Sequence, residues 1–189
     1  MIRGLLLCGG KSSRFGSDKL CVPIDSSPLV AHSARHLLEG IGNALAVVAP
    51  GAAALRQALE SAGCEILESP NTARGLGASL AAGIEATPDA DGWIVALGDM
   101  PFIEPETIAA VLRKLEEGAL LAAPVLPAGQ RGHPVGFARA LRDELVALDA
   151  DEGARSVIAA HRADLVLVRV DDPGIVKDID TPADLQAPR

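Results

Sequence analysis

Residues 5–19 decide the fold of this chain, and they read Leu5-Leu6-Leu7-Cys8-Gly9-Gly10-Lys11-Ser12-Ser13-Arg14-Phe15-Gly16-Ser17-Asp18-Lys19. The stretch begins as an apolar strand and continues as a loop of glycines, hydroxyl side chains and cations. Glycine lets backbone N–H groups approach phosphate oxygens, serine hydroxyls donate hydrogen bonds, and arginine and lysine neutralise phosphate charge. The stretch therefore predicts a strand that leads into a phosphate-binding loop, with an ordinary surface turn as the alternative.

The predicted nucleotide-binding residues of this loop are Leu7, Gly9, Gly10, Ser12, Arg14, Gly16 and Lys19, and Arg14 and Lys19 are also candidate catalytic residues. Two standard phosphate-binding motifs do not apply. The first glycine of a P-loop would fall on Leu5, inside the predicted strand. The dinucleotide-binding pattern G-x-G-x-x-G that starts at Gly75 has Leu80 where its third glycine belongs.

Short apolar segments alternate along the chain with segments of helical periodicity. The predicted strands are 2–7, 44–49, 64–67, 93–97, 119–126 and 165–170, and the predicted helices are 28–39, 52–62, 77–86, 105–117, 138–148 and 153–162. This alternation predicts a Rossmann-like α/β fold of three layers, in which helices cover both faces of a mostly parallel sheet. We expect a single domain over residues 1–189, with an irregular lobe around 124–138 that breaks the alternation and holds a further strand near 135–137.

Carboxylates follow the predicted strands at two places. Asp99 comes directly after the buried strand 93–97 and should meet the glycine-rich loop, because ligands of such sheets bind at the carboxyl ends of the strands. Mg²⁺ prefers one or two carboxylates together with water and phosphate oxygens, so Asp99 is a candidate catalytic residue and magnesium ligand. A turn before Pro101 is the alternative interpretation of Asp99. Near the C-terminus, four aspartates fall within ten positions: Asp171, Asp172, Asp178 and Asp180. Asp178 and Asp180 are the candidates for a second metal ligand, and a solvated acidic surface is the alternative interpretation.

Two further polar groups are candidate binding residues. Asn71, Gly75 and Ser79 follow the third predicted strand and begin a helix, where they could contact a nucleobase or could simply cap the helix. His133 and Pro134 lie in the irregular lobe. There the imidazole could face an anionic acceptor substrate, or could have a purely structural role.

Composition excludes several other functions. The net charge of −8, the 2% aromatic content and the lack of tyrosine argue against nucleic-acid and anionic-membrane binding. Three cysteines without C-x-x-C spacing indicate a reducing compartment rather than a disulfide scaffold or a zinc site. Because the sequence contains neither a signal peptide nor an apolar run of membrane-spanning length, we expect a cytoplasmic protein.

The chain resembles the molybdenum cofactor nucleotidyltransferases, and particularly the cytidylyltransferases, over nearly its whole length. The motifs that carry this resemblance are Gly9-Gly10-x-Ser12-x-Arg14-Phe15-Gly16-x-x-Lys19, Gly75-Leu76-Gly77-Ala78-Ser79-Leu80, Gly98-Asp99-Met100-Pro101, Gly132-His133-Pro134-Val135 and Asp178-Ile179-Asp180-Thr181-Pro182. The resemblance implies a fold like that of the nucleotide-diphospho-sugar transferases. It also implies an enzyme that transfers CMP from CTP to the terminal phosphate of molybdopterin or its metal-loaded form and releases pyrophosphate.

The same resemblance assigns roles to residues. Arg14 and Lys19 would hold the triphosphate, Asp99 would bind Mg²⁺ as the cofactor, and Asp178 or Asp180 would complete the metal site. Gly132–Val135 would lie on the pterin side. Molybdoenzymes and cofactor chaperones would be the transient protein partners.

The motifs point to two different nucleotides. The loop entrance Leu7-Cys8-Gly9-Gly10 shares its second glycine with the guanylyl group of the family, whereas residues 75–83 and the two later motifs favour the cytidylyl group. We expect CTP, with a GTP-dependent guanylyltransferase as the first alternative. The motifs also leave open a transfer to a sugar phosphate, and a nucleotide-binding cofactor chaperone without turnover.

Overall fold

A computed structural model describes residues 1–9, 19–181, 183 and 184, and the predicted site residues Gly10, Ser12, Arg14 and Gly16 lie outside the described residues. The strands are β1 Ile2–Leu7, β2 Pro23–Ile24, β3 Ser27–Pro28, β4 Leu45–Val48, β5 Glu65–Glu68, β6 Gly92–Leu97, β7 Leu121–Val125, β8 Val135–Ala138 and β9 Leu165–Arg169. The α-helices are α1 Leu29–Ile41, α2 Ala53–Ala62, α3 Leu76–Glu85, α4 Pro105–Glu116, α5 Arg142–Val146 and α6 Arg155–Ala160.

Seven of these strands form one sheet in the order β5-β4-β1-β6-β8-β7-β9. β1 pairs in parallel with β4 and β6, β4 pairs in parallel with β5, and β7 pairs in parallel with β9. Only β8 runs antiparallel to both of its neighbours, β6 and β7. The predicted mostly parallel sheet is confirmed, and the lobe that breaks the alternation supplies the antiparallel strand.

Helices cover the two faces of the sheet because the central strands are apolar on both sides. Leu6 packs in one cluster with Leu29 and Leu37 of α1, while its neighbour Leu5 packs on the other face with Leu80 of α3. Successive side chains of a strand point to opposite faces, so an uninterrupted leucine run fills two cores. The predicted three-layer arrangement is therefore confirmed.

The strand order places a crevice at one end of β1. From β1 the chain proceeds to β4 and β5 on one side, and it returns to β6 on the other side. Sheets of this kind bind ligands at such a reversal, outside the carboxyl ends of the strands. Leu7 and Leu97 are register partners at the ends of β1 and β6, so the residues that come after them lie together at this crevice.

Two helices end at glycines. Gly42 after α1 and Gly63 after α2 have φ values of 79° and 100°, the left-handed conformation that glycine adopts readily. Within the ranges that the structure describes, no helix is both long and apolar enough to span a bilayer.

Candidate active site

Lys19 joins two carboxylates that are far apart in sequence. Its Nζ donates to Asp99 Oδ2 at 2.9 Å and to Asp180 Oδ1 at 3.0 Å. The Lys19 side chain is only 15% exposed, and that of Asp99 25%, so these charges are partly shielded from solvent. The phosphate-binding lysine and both aspartate regions predicted from the sequence therefore meet at one point.

The two carboxylates favour the charged form of Lys19. Burial by itself would lower the pKa of the Lys19 ammonium, but the hydrogen bonds and charges of Asp99 and Asp180 outweigh it and raise that pKa. Burial raises the pKa of the neighbouring Asp178 carboxyl, and the negative charges of Asp180 and Asp99 act in the same direction. The Asp180 carboxylate is the one that contacts the ammonium, so it is the better placed of the two C-terminal candidates.

The backbone around Asp99 is held from three sides. Gly98 N donates to the carbonyl of Leu7 at 2.9 Å, which ties the turn to the end of β1. The buried Ser33 of α1 donates its hydroxyl to the carbonyl of Gly98 at 2.9 Å. The carbonyl of Asp99 itself accepts from Ile179 N at 3.0 Å, so the C-terminal segment is attached to the same turn.

The buried residue Asp172 anchors the C-terminal segment. Its Oδ1 accepts from Gly174 N and its Oδ2 accepts from Glu104 N, both at 2.9 Å. Gly174 packs so closely that an added Cβ would lie 2.1 Å from the carbonyl oxygen of Phe102. These contacts fix where the chain turns toward Asp180.

Gly9 lies against the start of α3. A Cβ at Gly9 would lie 2.9 Å from the hydroxyl of Ser79 and 3.1 Å from Cβ of Thr72, so a larger residue would displace one of them. Ser79 is fully buried and donates its hydroxyl to the carbonyl of Gly75 at 2.9 Å. Ser79 thus packs against Gly9 at the start of the loop. Direct contact of Ser79, Gly75 or the half-buried Asn71 with a nucleobase stays a prediction.

A cavity of about 230 Å³ opens beside these residues, between β1, β6, β8 and α3. Leu7, Leu80 and Val95 contribute apolar walls, and His133 lines it together with two arginines, Arg131 and Arg155. Burial lowers the pKa of the His133 imidazole, and the positive charges of the arginines act in the same direction.

His133 is fixed by its backbone and by the walls of the cavity. Its N–H donates to the carbonyl of Ile175 at 2.9 Å, its peptide bond to the buried Pro134 is cis, and its Nδ1 is buried with no hydrogen-bond partner among the described residues. An added Cβ at Gly132 would lie 2.0 Å from the carbonyl oxygen of Ile175, so this close approach requires glycine. His133 therefore lines the cavity with its Nδ1 turned into the protein.

Three functional candidates were not found from the sequence. Arg131 and Arg155 are exposed at the cavity, and no salt bridge holds either of them within the described part of the chain. Isolated arginines in a loop and at a helix start carry no signal of their own. Ser33 could have been found, since it is a polar residue on the apolar face of the predicted helix 28–39.

The carboxylates fit a divalent cation that also has other ligands. The Lys19 ammonium occupies the position between Asp99 and Asp180 that a metal ion would take. The two oxygens that it contacts, Asp99 Oδ2 and Asp180 Oδ1, are no more than about 6 Å apart. No cluster of three or more metal-ligating side chains occurs in residues 1–9, 19–181, 183 and 184. Mg²⁺ commonly binds with one or two carboxylates and takes its remaining ligands from water and phosphates, so the residues present fit this ion.

The chain is similar to one known protein family and to individual members of it. The family model described as the MobA-like NTP transferase domain matches residues 4–165. A probable molybdenum cofactor guanylyltransferase of Pyrococcus furiosus is 31% identical over 146 residues, which are 76% of this chain and 71% of that protein. One of Thermococcus sibiricus with the same description is 30% identical over 118 residues, covering 62% of this chain and 58% of that protein.

Other similar proteins are longer or more distant. The bifunctional protein GlmU of Alkalilimnicola ehrlichii is 29% identical over 84% of this chain, which spans only 34% of that protein. Among solved structures, Rv0371c of Mycobacterium tuberculosis has a TM-score of 0.84 at 25% identity, with coverage of 98% of this chain and 95% of that one. The fold predicted from the sequence is confirmed by these neighbours.

Proposed function

Because the chain belongs to the MobA-like NTP transferase domain family, we propose that it transfers a nucleoside monophosphate from a triphosphate to the terminal phosphate of molybdopterin or its metal-loaded form. The observation that carries this proposal is the meeting of Lys19 with Asp99 and Asp180 at the crevice. A positively charged hydrogen-bond donor suits the phosphate oxygens of a triphosphate, and two carboxylates at the same point suit its divalent cation.

The reaction needs no protein nucleophile. An oxygen of the acceptor phosphate, which is already ionised, attacks the α-phosphorus, the bond from that phosphorus to the β-bridging oxygen breaks, and pyrophosphate leaves. The protein has to align the two substrates and offset charge on the transferred group. Lys19 would donate to phosphate oxygens, and Arg14 of the sequence motif would assist it.

Asp99 and Asp180 would hold Mg²⁺, which when bound would neutralise charge on the phosphates. In this assignment Asp180, not Asp178, is the second ligand, because it already shares a cation with Asp99. The exposed Asp178 would then act only through its charge.

The cavity beside His133 suits the acceptor. Its apolar walls could take a flat ring system, and Arg131 and Arg155 could attract an anionic substituent. His133 lines this cavity, and because burial lowers the pKa of its imidazole, the side chain adds no positive charge near neutral pH.

The nucleotide we propose is GTP, with CTP as the second candidate. Two relatives carry the description molybdenum cofactor guanylyltransferase, and the glycine pair Gly9-Gly10 is shared with the guanylyl group. The later sequence motifs favour CTP by resemblance.

Purified protein, Mg²⁺ and molybdopterin, incubated with GTP or CTP in separate reactions, will test the proposal. We expect pyrophosphate release and a product with the mass of molybdopterin joined to one nucleoside monophosphate. Pyrophosphate with a sugar phosphate acceptor instead would move the activity to that class. Nucleotide binding without pyrophosphate release from any acceptor would support the cofactor chaperone.

A further inference from the structure

The two carboxylates that suit a divalent cation are already bridged by a positively charged side chain of the same protein. The Lys19 ammonium lies 2.9 Å from Asp99 Oδ2 and 3.0 Å from Asp180 Oδ1. These are charge-assisted hydrogen bonds of good length, and they involve a side chain that is only 15% exposed. Any cation that enters must first displace this ammonium.

We propose that Lys19 keeps divalent cations out of the site until a triphosphate arrives, so that the protein binds the metal–triphosphate complex rather than the free metal. This inference rests on the proposed function, since it takes the triphosphate as the ligand that releases Lys19. It assigns Lys19 a second role, as a competitor of the metal before substrate binds.

Like charges make the competition unavoidable. An ammonium and a divalent cation that share the same two carboxylate oxygens would lie within a few ångströms of each other, where they repel strongly in a partly buried site. Lys19 therefore has to move when the metal enters. Phosphate oxygens accept the same N–H donors, so a triphosphate compensates Lys19 for the carboxylates it loses.

The ligand count points in the same direction. In the part of the chain that the structure describes, the site supplies fewer than three metal-ligating side chains. An octahedral ion such as Mg²⁺ therefore requires phosphate oxygens and water to complete its shell. The free protein offers the ion an incomplete set of ligands that is also occupied by Lys19.

The backbone of Lys19 can stay in place while its ammonium moves. Its carbonyl accepts from Val22 N at 3.2 Å, and the next residue, Leu20, is buried in the core. The lysine side chain is a flexible four-carbon stem, so the charge can turn from carboxylate to phosphate without movement of the short 3₁₀-helix Lys19–Cys21.

Binding of Mn²⁺ to the nucleotide-free protein, followed by electron paramagnetic resonance, tests this inference. We expect Lys19→Met and Lys19→Ala to bind Mn²⁺ about tenfold or more tightly than the wild type, because each removes the competing ammonium. Lys114→Ala is the matched control: it also removes one positive charge, but from an exposed pair with Glu117. Its Mn²⁺ affinity should stay within about twofold of the wild type.

Adding Asp99→Asn to Lys19→Met should abolish the increase in Mn²⁺ affinity. That loss would show that the Mn²⁺ bound by Lys19→Met lies at Asp99. Equal Mn²⁺ affinity of the wild type and both Lys19 variants, with unchanged circular dichroism, would overturn the inference.

A nuclear magnetic resonance measurement on the unaltered protein covers the case in which the variants fail to fold. Mg²⁺ alone should leave the ε-carbon resonance of Lys19 unshifted, and Mg²⁺ with inorganic triphosphate should shift it. A shift of that resonance by Mg²⁺ alone would also overturn the inference.

These readouts are separate from catalysis. If pyrophosphate is released but Lys19 does not affect Mn²⁺ affinity, this inference fails and the proposed function stands. If no nucleotide is turned over but the Lys19 variants bind Mn²⁺ more tightly, the competition stands and the proposed function fails.

Discussion

The ammonium of Lys19 lies 2.9 Å from the carboxylate of Asp99, although the two residues are 80 positions apart in sequence. β1 and β6 bring them together, because these neighbouring parallel strands end in register at Leu7 and Leu97. The loop after one strand supplies the cation, and the turn after the other supplies the acid. A nucleotide site at this edge needs both.

Lys19→Ala should reduce the rate of pyrophosphate release by about 10²-fold or more, because it removes a charged donor that would stabilise the phosphates in the transition state. Steady-state kinetics with the favoured nucleotide will measure this loss. Lys114→Ala, which removes a lysine from the last turn of α4 and from an exposed pair with Glu117, should retain the wild-type rate. An unchanged rate in Lys19→Ala would refute the role assigned to Lys19.

Asp99→Asn should leave the fold intact and raise the Mg²⁺ concentration needed for half-maximal activity by at least about tenfold, because an amide is a poorer magnesium ligand than a carboxylate. Asp180→Asn should show the same effect. Asp178→Asn, a change two residues away, should show a much smaller one. A Mg²⁺ titration that shifts for Asp178→Asn and not for Asp180→Asn would reverse the assignment of the second ligand.

Ser33→Ala should destabilise the protein by about 1–3 kcal/mol, because it leaves the carbonyl of Gly98 without its buried donor. It should also raise the Mg²⁺ concentration needed for half-maximal activity, because the hydrogen bond from Ser33 holds the backbone of Gly98, the residue directly before Asp99. Chemical denaturation and the Mg²⁺ titration measure the two effects separately. The exposed serine variant Ser156→Ala should change neither, and an equally small effect of Ser33→Ala would exclude a positioning role.

The sequence predicted the parts of this site that rest on repeating patterns. The leucine run of β1 and the buried strand before Asp99 indicate parallel strands, and parallel strands bring the residues after their carboxyl ends to one edge. That reasoning was sufficient to predict that Lys19 and Asp99 would meet.

Long-range contacts without periodicity could not be predicted in the same way. Arg131 and Arg155 reach one cavity only through the path of β8 and the turn before α6, and no local pattern encodes that approach. Asp180 rather than Asp178 contacts Lys19, and that contact joins residues 161 positions apart in sequence. Ser33 was the exception, since its polarity on an apolar helix face was visible in the sequence.

His133 should titrate with a pKa below the ordinary 6.5, because burial and the nearby arginines disfavour its charged form. Protons then bind the unfolded chain more readily than the folded one, so this group should make the protein less stable as the pH falls below about 6.5. The His133 ring resonances followed by NMR against pH will give the midpoint. Comparison with His133→Gln assigns the signal, and a midpoint above 6.5 would contradict the buried neutral imidazole.

The central claim is that Lys19, Asp99 and Asp180 form one site for a triphosphate and its divalent cation. Anomalous diffraction from crystals grown with Mn²⁺ and a non-hydrolysable GTP or CTP analogue tests it most directly. We predict a manganese peak bound by Asp99 and Asp180, with the Lys19 ammonium moved onto a phosphate oxygen. A nucleotide bound elsewhere, with Lys19 still joined to both carboxylates, would contradict the account.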